Sequence, residues 1–451
     1  MHSKSEFLGT TSVHKLMVNF GTFALISMIA TGSVSMVGAL IVSRGIDIHA
    51  VGAMGILFPL TSVFFGFSQL VAIGAASYIS RMLGKDKHDV AISAIITAYC
   101  LSIIISTTLI ALTLLFKTPL LAFLGADGAY TDTAKTYLSV YVFSIPFTAM
   151  TLLASAIFRA YGKLKLSMCI IVLDALLVLG IDYVLVFWMD KGMGGVALSN
   201  ALGSLISSTL GIILLIKLII GKKNIKRKLS FCGNIITGIG AVGVSALGRA
   251  LSVSTFAFIL NSTLNNLAPD EVITALGTVN RIVMLLLYTI MGMNQAMQPI
   301  ISYNFTAGNF DRVKQGLKYA IFYASLIGVI GTLAGLIFPH QILRIFTSND
   351  DILDDATFIL RMQLVLYFTF SIQTLTATYF QAIGKGKMSF FLSVFKPLLI
   401  LLPLVLILPR LSDDIFRLWW MYPIADTLTT LVAGFILFHS VRKLAVKPKT
   451  Y

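Results

Sequence analysis

The sequence predicts an all-α membrane protein in which twelve transmembrane helices form two parallel six-helix repeats around a central cavity. Three observations predict this fold. Of the 451 residues, 57% are hydrophobic and only 12% are charged, whereas about a quarter of the residues of a soluble domain are charged. The apolar residues are gathered into twelve continuous runs, and motifs of the first half of the chain recur in the second half.

Each apolar run is long enough to cross a hydrocarbon core of about 30 Å as an α-helix. The runs are continuous, whereas the strands of a membrane barrel alternate apolar and polar residues, so barrel strands are excluded. The predicted helices are 17–42, 52–80, 90–116, 134–159, 167–188, 194–219, 236–262, 272–303, 316–338, 357–383, 388–409 and 417–440.

The repeat is visible in a short motif between two apolar runs. Phe158-Arg159-Ala160-Tyr161-Gly162-Lys163 recurs 222 residues later as Phe380-Gln381-Ala382-Ile383-Gly384-Lys385. Six crossings are an even number, so the two copies are parallel and related by an axis along the membrane normal. The predicted organisation is an N-terminal six-helix lobe at 1–219, a basic cytoplasmic linker at 220–235 and a C-terminal six-helix lobe at 236–451.

The loops carry opposite charges on the two sides of the membrane. One side holds Arg81, Lys85, Lys87, Arg159, Lys163, Lys165, the basic run 222–228, Arg312, Lys314, Lys318, Lys385, Lys387 and Arg442. The other side holds Asp127, Asp132, Asp190, Asp270, Glu271, Asp350, Asp351, Asp354, Asp355, Asp413 and Asp414. The positive-inside rule makes the basic side cytoplasmic. Twelve crossings then leave both termini in the cytoplasm, and the net charge of +15 reflects topology rather than nucleic-acid binding.

The sequence lacks the patterns of the common catalytic sites. The dipeptide Gly-Lys is never followed by Ser or Thr, so no phosphate-binding loop is present. The six His are scattered without metal-ligand spacing. We therefore expect no enzyme activity, no cofactor and no metal centre. A parallel six-plus-six arrangement favours a secondary transporter whose lobes rock about a cavity, and a monomer is sufficient for that.

The segment Gln298-Pro299-Ile300-Ile301-Ser302-Tyr303-Asn304-Phe305-Thr306-Ala307-Gly308-Asn309 resembles the QPxxxYNxGAGN signature of the multidrug and toxic compound extrusion (MATE) family. The two copies of the repeated motif resemble the RAxG and FQAxG turns of that family. Further matches are Asn280-Arg281-Ile282 and Pro423-Ile424-Ala425-Asp426. Within the family, the chain is similar to MepA-like bacterial multidrug exporters.

This resemblance implies a secondary active exporter, an antiporter in the bacterial inner (plasma) membrane. Its substrates would be amphipathic, drug-like small molecules, mainly cations, and a proton or sodium gradient would drive alternating access of the two lobes. The alternative within the same superfamily is a flippase for lipid-linked oligosaccharides or other lipids.

Function is expected at ionisable side chains inside the bilayer, where each is costly unless it is paired or hydrated. The predicted helices contain three acids and three bases, namely Asp174, Asp182, Asp426, Arg249, Arg281 and Lys396. The candidate residues for binding substrate or coupling ion are Asp182, Asp174, Arg249, Asp426, Asn280 and Gln298.

Asp182 is the strongest candidate. It fills the Asp position of an Asn-x-x-x-Asp-Pro pattern of the family, although Val178 and Tyr183 stand where the Asn and the Pro would be. Many family members carry an acid in the first helix, and Gly38 occupies that place here. Burial disfavours a charged carboxylate, so a proton and a cationic drug would exclude each other at Asp182. Sodium is the competing ion for this site, and a purely structural contact is the alternative role.

Two further hypotheses concern charged pairs. Asp174 lies eight residues before Asp182, so both share one helix face with a rise of about 12 Å between them. Asp174 corresponds to Lys396 by the repeat offset, so the two are expected to meet across the pseudo-axis as a cytoplasmic gate, unless each is paired separately. Arg249 is expected to pair with Asp182 or Asp426. Because it is a cation, anionic or zwitterionic substrates are an alternative to cationic ones.

The signature around Gln298 has an alternative, structural interpretation. It would mark a helix distortion at Pro299, where an Asn or Gln side chain bonds the backbone carbonyl that the proline leaves free.

Overall fold

The computed structural model describes residues 7–46, 48–124, 129–217, 233–345, 350–411 and 415–444. These ranges contain twelve helices that are long and apolar enough to cross a membrane, as predicted, and no β-strand. The predicted linker at 220–235 lies outside the described residues except for its last three. The spans are α1 Val13–Gly45, α2 Gly52–Gly84, α3 His88–Leu115, α4 Thr131–Ala160, α5 Leu164–Trp188, α6 Gly192–Leu215, α7 Gly233–Leu267, α8 Glu271–Thr306, α9 Phe310–Ile337, α10 Ile352–Ala382, α11 Gly386–Leu411 and α12 Ile415–Leu444.

The repeat is also visible in the backbone of the turns at the basic end of the bundle, the end that carries Arg81, Arg159, Arg312 and Lys385. Asp86 and Gly308 have φ values of 56° and 79°, and Gly162 and Gly384 have φ values of 71° and 81°. Each pair is separated by the same offset of 222 residues. Such left-handed residues end helices because they let the next amide bond back to the last turn. The helices therefore extend beyond the apolar runs, as far as these turns.

Wider π-turns occur in α5 and α11. In α5 the π-turn is Val184–Trp188, which begins two residues after Asp182, and in α11 it is Phe395–Leu401, which includes Lys396 and Pro397. Proline lacks an N–H to donate and so favours a break in regular α-helical bonding. Short π-segments are frequent at functional sites, and each of these adjoins an ionisable side chain.

The two halves pack through α1 against α8 and through α2 against α7. Helix α1 takes part in two cores. Near the basic end, Met17 and Phe20 lie in an apolar cluster with Met293 of the second half. Near the other end, Val42 lies in a cluster with Leu138 of the first half. The first helix therefore ties the halves together instead of belonging to one core.

Glycines permit the close approach of α2 and α7. A methyl group at Gly243 would overlap the backbone of Leu70, and one at Gly74 would overlap the backbone of Ile239. Small residues at such crossings let membrane helices gain van der Waals contact that larger side chains would prevent.

Hydrogen bonds join the halves at the basic end. Ser77 Oγ donates to the Gln381 carbonyl at 2.6 Å. Thr306 Oγ1 lies 3.0 Å from the Arg81 carbonyl, and its hydroxyl shares its hydrogen between this carbonyl and those of Ser302 and Tyr303 in its own helix. At the opposite, acidic end, the rings of Phe123 and Phe258 stack across the halves with centroids 6.1 Å apart. Hydrogen bonds between the halves are thus found at the basic end, and Ser254 Oγ adds one to the Pro59 carbonyl further along α7, at 3.3 Å.

Gly243 and Gly240 lie about one turn apart in α7 and form a matched pair. Gly243→Ala places a methyl group against the Leu70 backbone, whereas Gly240→Ala meets no atom within 4 Å. We expect overpacking in Gly243→Ala to lower the free energy of unfolding by about 1–3 kcal/mol. Gly240→Ala should leave it unchanged or raise it, because alanine favours helix. Thermal unfolding of the purified protein measures both, and equal melting temperatures would contradict the close packing of α2 on α7.

The hydrogen bonds between the halves predict a second result. The double variant Ser77→Ala/Thr306→Val removes two hydroxyl donors, each worth about 1 kcal/mol, and should loosen the basic end. Amide hydrogen exchange in segments 75–85 and 300–310 should then be faster than in the wild type.

The matched control uses two hydroxyls on the same helices. Ser80 and Ser302 are fully buried, and their Oγ atoms have no hydrogen-bond partner. Ser80→Ala/Ser302→Ala should therefore leave exchange in both segments unchanged. Equal effects of the two double variants would show that these bonds do not hold the basic end together.

Candidate functional site

Asp182 lies in a tight packing site between α5, α6 and α1. Only 2% of its side chain is exposed. Its Oδ1 atom is 2.5 Å from Ser199 Oγ of α6, and a Cβ atom at Gly38 of α1 would lie 3.9 Å from its Oδ2 atom. The helices approach closely because Gly203 of α6 packs on the backbone of Val178 in α5. The carboxyl is therefore buried in the first half and faces the place of the missing first-helix acid.

The hydrogen bonds of Ser199 bear on the protonation of Asp182. Ser199 Oγ is 2.8 Å from the Val196 carbonyl as well as 2.5 Å from Asp182 Oδ1. A hydroxyl has one hydrogen to donate, so it cannot donate to both oxygens at once. Both contacts are satisfied when a protonated Asp182 donates to Ser199, which in turn donates to Val196. The site thus accommodates a neutral carboxyl without an unsatisfied acceptor at these contacts.

Asp174 lies on the same face of α5, as the spacing predicts. Its half-buried carboxyl faces the hydroxyls of Ser204 and Ser207 of α6, while Asp182 faces Ser199 further along α6. The Asp174 Oδ1 atom is buried without a hydrogen-bond partner. Within the described ranges, no Lys, Arg or His forms an ion pair with either carboxyl.

The predicted gate between Asp174 and Lys396 is not formed in this structure. Lys396 Nζ instead lies 2.5 Å from Oδ1 of Asp426 in α12, inside the second half. The charged faces of α5 and α11 are equivalent by the repeat, but each faces a neighbour in its own half, α6 or α12. Asp174 and Lys396 therefore make separate contacts.

Gln373 of α10 completes the site around Asp426. Its Nε2 atom donates to Asp426 Oδ1 at 2.9 Å and to Thr430 Oγ1 at 3.0 Å. The side chain of Asp426 is 2% exposed and that of Lys396 is 16% exposed. The second half thus contains a buried carboxylate with its own cation, unlike the first half.

The pairing predicted for Arg249 is wrong for this structure. Arg249 is half-buried in α7, but Asp426 pairs with Lys396 and Asp182 contacts Ser199. In the described part of the chain, Arg249 makes no ion pair. Asn280 is exposed on α8 and joins neither carboxyl site. These two residues are therefore not brought together with Asp182.

The signature segment of α8 contacts the first half. Gln298 Nε2 donates to the Ile73 carbonyl at 3.4 Å, and Asn304 Nδ2 donates to the Leu8 carbonyl at 3.0 Å. With Thr306, these residues bond backbone carbonyls across the halves, rather than the carbonyl that Pro299 leaves free. The eight-residue spacing of Gln298 and Thr306 places both on one helix face. This spacing could have indicated a shared contact surface from the sequence alone, whereas the distortion hypothesis considered only Pro299.

A cavity of about 310 Å³ lies at the basic end between the halves. Its walls include Arg81, Lys85, Phe305 and Ile383. Neither Asp182 nor Lys396 lines it, so it is separate from both carboxyl sites.

Sequence reasoning missed Ser199, Ser77 and Gln373. Hydroxyl and amide side chains are common along these helices, and only packing selects those that reach a carboxyl or a carbonyl. The π-turn after Asp182 was likewise not visible in the sequence.

Comparison with known proteins identifies the family. The MatE family model matches residues 24–184 and 245–407, one segment in each half. The chain is 26% identical over 437 residues to the multidrug export protein MepA of Staphylococcus aureus (strain MSSA476), covering 96% of this chain and 95% of that protein. It is 25% identical over 450 residues to MepA of Staphylococcus haemolyticus (strain JCSC1435), covering 97% and 96%.

A solved structure has the same fold. It is described as the outward-facing conformation of a multidrug resistance MATE family transporter of the MOP superfamily, and it aligns with a TM-score of 0.91 at 21% identity over 99% of this chain and 100% of that one. The family match covers well over half of the chain, in agreement with the signature at Gln298. This multi-pass membrane protein therefore belongs to the MatE family of transporters and is not an enzyme.

Proposed function

We propose that this protein exports amphipathic cationic drugs or toxic organic compounds across the bacterial plasma membrane by proton antiport, and that Asp182 carries the coupling proton. Similarity to the MepA multidrug export proteins over nearly the whole chain supports export of drug-like molecules. The observation that carries the coupling assignment is the environment of Asp182.

A carboxylate inside the bilayer is costly unless a proton or a cation neutralises it. Asp182 is buried, its carboxyl contacts the Ser199 hydroxyl, and Gly38 contributes no charge. The carboxyl must therefore bind a proton or a mobile cation, and it must release that ion before it can attract a cationic drug. Competition for one buried carboxyl is the exchange that an antiporter requires.

The ligands around Asp182 favour the proton. A sodium ion needs several oxygen ligands. In the described ranges the side-chain oxygen hydrogen-bonded to this carboxyl is that of Ser199, whose geometry suits a neutral acid. Gly38 supplies no oxygen in place of the first-helix acid of other family members. Sodium coupling at Asp182 is therefore the less favoured alternative.

The topology supports alternating access with the basic end in the cytoplasm and both termini on that side. The bonds of Ser77, Gln298 and Thr306 across the halves would close the cytoplasmic end, in place of the gate predicted at Asp174 and Lys396. Transport would require these bonds to break as the halves rock. One chain supplies both halves, so a monomer is sufficient.

A flippase for lipid-linked oligosaccharides is the second candidate. The observation in its favour is Arg249, a half-buried cation without an anionic partner in the described ranges, which suits a phosphate. The two carboxyls of the first half that lack a cation favour a cationic substrate instead.

Transport by the Asp182→Asn variant tests the coupling assignment. Ethidium accumulation in everted membrane vesicles should require a proton gradient, and collapse of that gradient should abolish it. Asparagine keeps the size of the side chain but cannot exchange a proton, so we expect Asp182→Asn to lower accumulation at least about 10-fold. Asp190→Asn, an exposed position near the end of the same helix, is the matched control and should retain wild-type accumulation.

Each other outcome rejects a defined part of the proposal. Ethidium accumulation that depends on a sodium gradient would reject the proton as the coupling ion. Full activity of a folded Asp182→Asn variant would reject the role of Asp182. If no organic cation accumulates under either gradient while a labelled lipid-linked sugar is translocated, the flippase would replace the exporter.

A further inference from the structure

The surroundings of Lys396 resemble a binding site for an ammonium ion. The head group of the lysine itself takes the place of that ion beside Asp426. The ammonium of Lys396 contacts the buried Asp426 carboxylate at 2.5 Å. On another side it lies 5.2 Å from the ring centroid of Phe370. A carboxylate and an aromatic face are the two groups with which proteins hold organic ammonium ions.

Further rings surround this site. Tyr367 stacks on Phe370 with centroids 5.3 Å apart and planes at 19°, and Tyr422 stacks parallel to Trp419 at 6.4 Å. Both tyrosines are close enough to Asp426 to interact with its charge. The side chains around Asp426 therefore present aromatic rings, which attract a flat aromatic cation as well as a lysine head group.

The lysine does not satisfy the polar groups of this site. The Gln373 Oε1, Tyr367 hydroxyl and Thr429 hydroxyl oxygens are buried without a hydrogen-bond partner. The exposed fractions of these side chains are 6%, 5% and 2%. A purely structural ion pair is more stable when the buried polar groups beside it are hydrogen-bonded. These unsatisfied groups are available to hydrogen-bond another occupant of the site.

We propose that Asp426, Gln373 and the surrounding rings form a binding site for organic ammonium and related aromatic cations, and that Lys396 is its resident occupant, displaced when such a ligand binds. The substrate class rests on the proposed function, but the site and the role of Lys396 do not depend on Asp182. Lys396 would act as a specificity determinant, because a ligand must bind Asp426 better than the tethered ammonium does.

The exchange conserves charge at the carboxylate. One monovalent cation leaves Asp426 as another arrives, so Asp426 is never left as an unpaired buried charge. The flexible four-carbon stem of lysine allows its head group to withdraw, and the 16% exposure of Lys396 leaves it a partial path to solvent. Lys396 also lies in a π-turn, a wider helical segment that is frequent at functional sites.

Ethidium binding to the purified protein tests this site, with fluorescence anisotropy as the readout. The titrations use an Asp182→Asn background, so that the carboxyl of the first half does not contribute. Lys396→Met removes the competing ammonium and should lower Kd at least about 10-fold, equivalent to about 1.4 kcal/mol. Lys385→Met, which removes an exposed lysine at the basic end, is the matched control and should leave Kd unchanged.

The carboxylate is tested separately. Asp426→Asn should raise Kd at least about 10-fold, and Lys396→Met/Asp426→Asn should bind as weakly as Asp426→Asn alone. The double variant replaces both charges by neutral groups of similar size, a change that ion pairs often tolerate. The double variant therefore tests the contribution of the Asp426 carboxylate to ethidium binding even if Asp426→Asn alone does not fold.

A purely structural pair predicts different results. Lys396→Met would then lower the melting temperature, ethidium would not restore it, and Kd would be unchanged. Either an unchanged Kd in Lys396→Met or wild-type affinity in the double variant would overturn the inference. Ethidium export by the wild type alongside such results would leave the proposed function intact, whereas absence of export with the predicted binding changes would reject the function and keep the site.

Discussion

The neutralisation of charge inside the bilayer is the constraint on which the two carboxyl sites of this structure depend. A buried carboxylate must have a proton, a cation or water beside it. The two halves meet this requirement differently. Asp426 has Lys396 within its own half, whereas Asp174 and Asp182 have hydroxyl neighbours. Under the proposed mechanism the first half takes its neutralising charge from a mobile ion, whereas the second half contains a lysine for this purpose, although the halves share a fold and a repeat.

Under the proposed mechanism, this asymmetry would give the two halves different parts in transport. A carboxyl that must acquire its neutralising charge from outside suits the coupling ion. A carboxylate with a tethered ammonium suits competition with an organic cation. The π-turns adjoin both sites, so each ionisable residue lies next to a segment that departs from regular α-helical hydrogen bonding. Coupling would then pass through the rocking of the halves, since the two sites lie in different halves and the described residues show no ion pair between them.

The contacts between the halves are suited to such rocking. At the basic end, side-chain donors such as Ser77 and Gln298 bond backbone carbonyls of the opposite half. Neutral bonds of this kind are each worth about 1 kcal/mol, so a set of them can hold a closed state and still be broken. A buried ion pair across the halves would leave two unpaired charges on opening, which costs far more. The replacement of the expected gate by neutral bonds therefore has an energetic reason.

Four features could be predicted from the amino-acid sequence alone: the twelve helices, the repeat with its offset of 222 residues, the charge asymmetry of the loops and the family signature. These features follow from local composition: apolar run length sets the helices, and glycine at Gly162 and Gly384 permits the turns. Even the shared face of Asp174 and Asp182 followed from helical spacing. Helix packing, by contrast, determines that Lys396 pairs with Asp426 rather than Asp174, that Ser199 contacts Asp182, and that Gln298 joins the halves. Those contacts depend on the rotation and approach of helices distant in the chain, which helical periodicity leaves free and which close packing at glycines such as Gly203 and Gly243 determines.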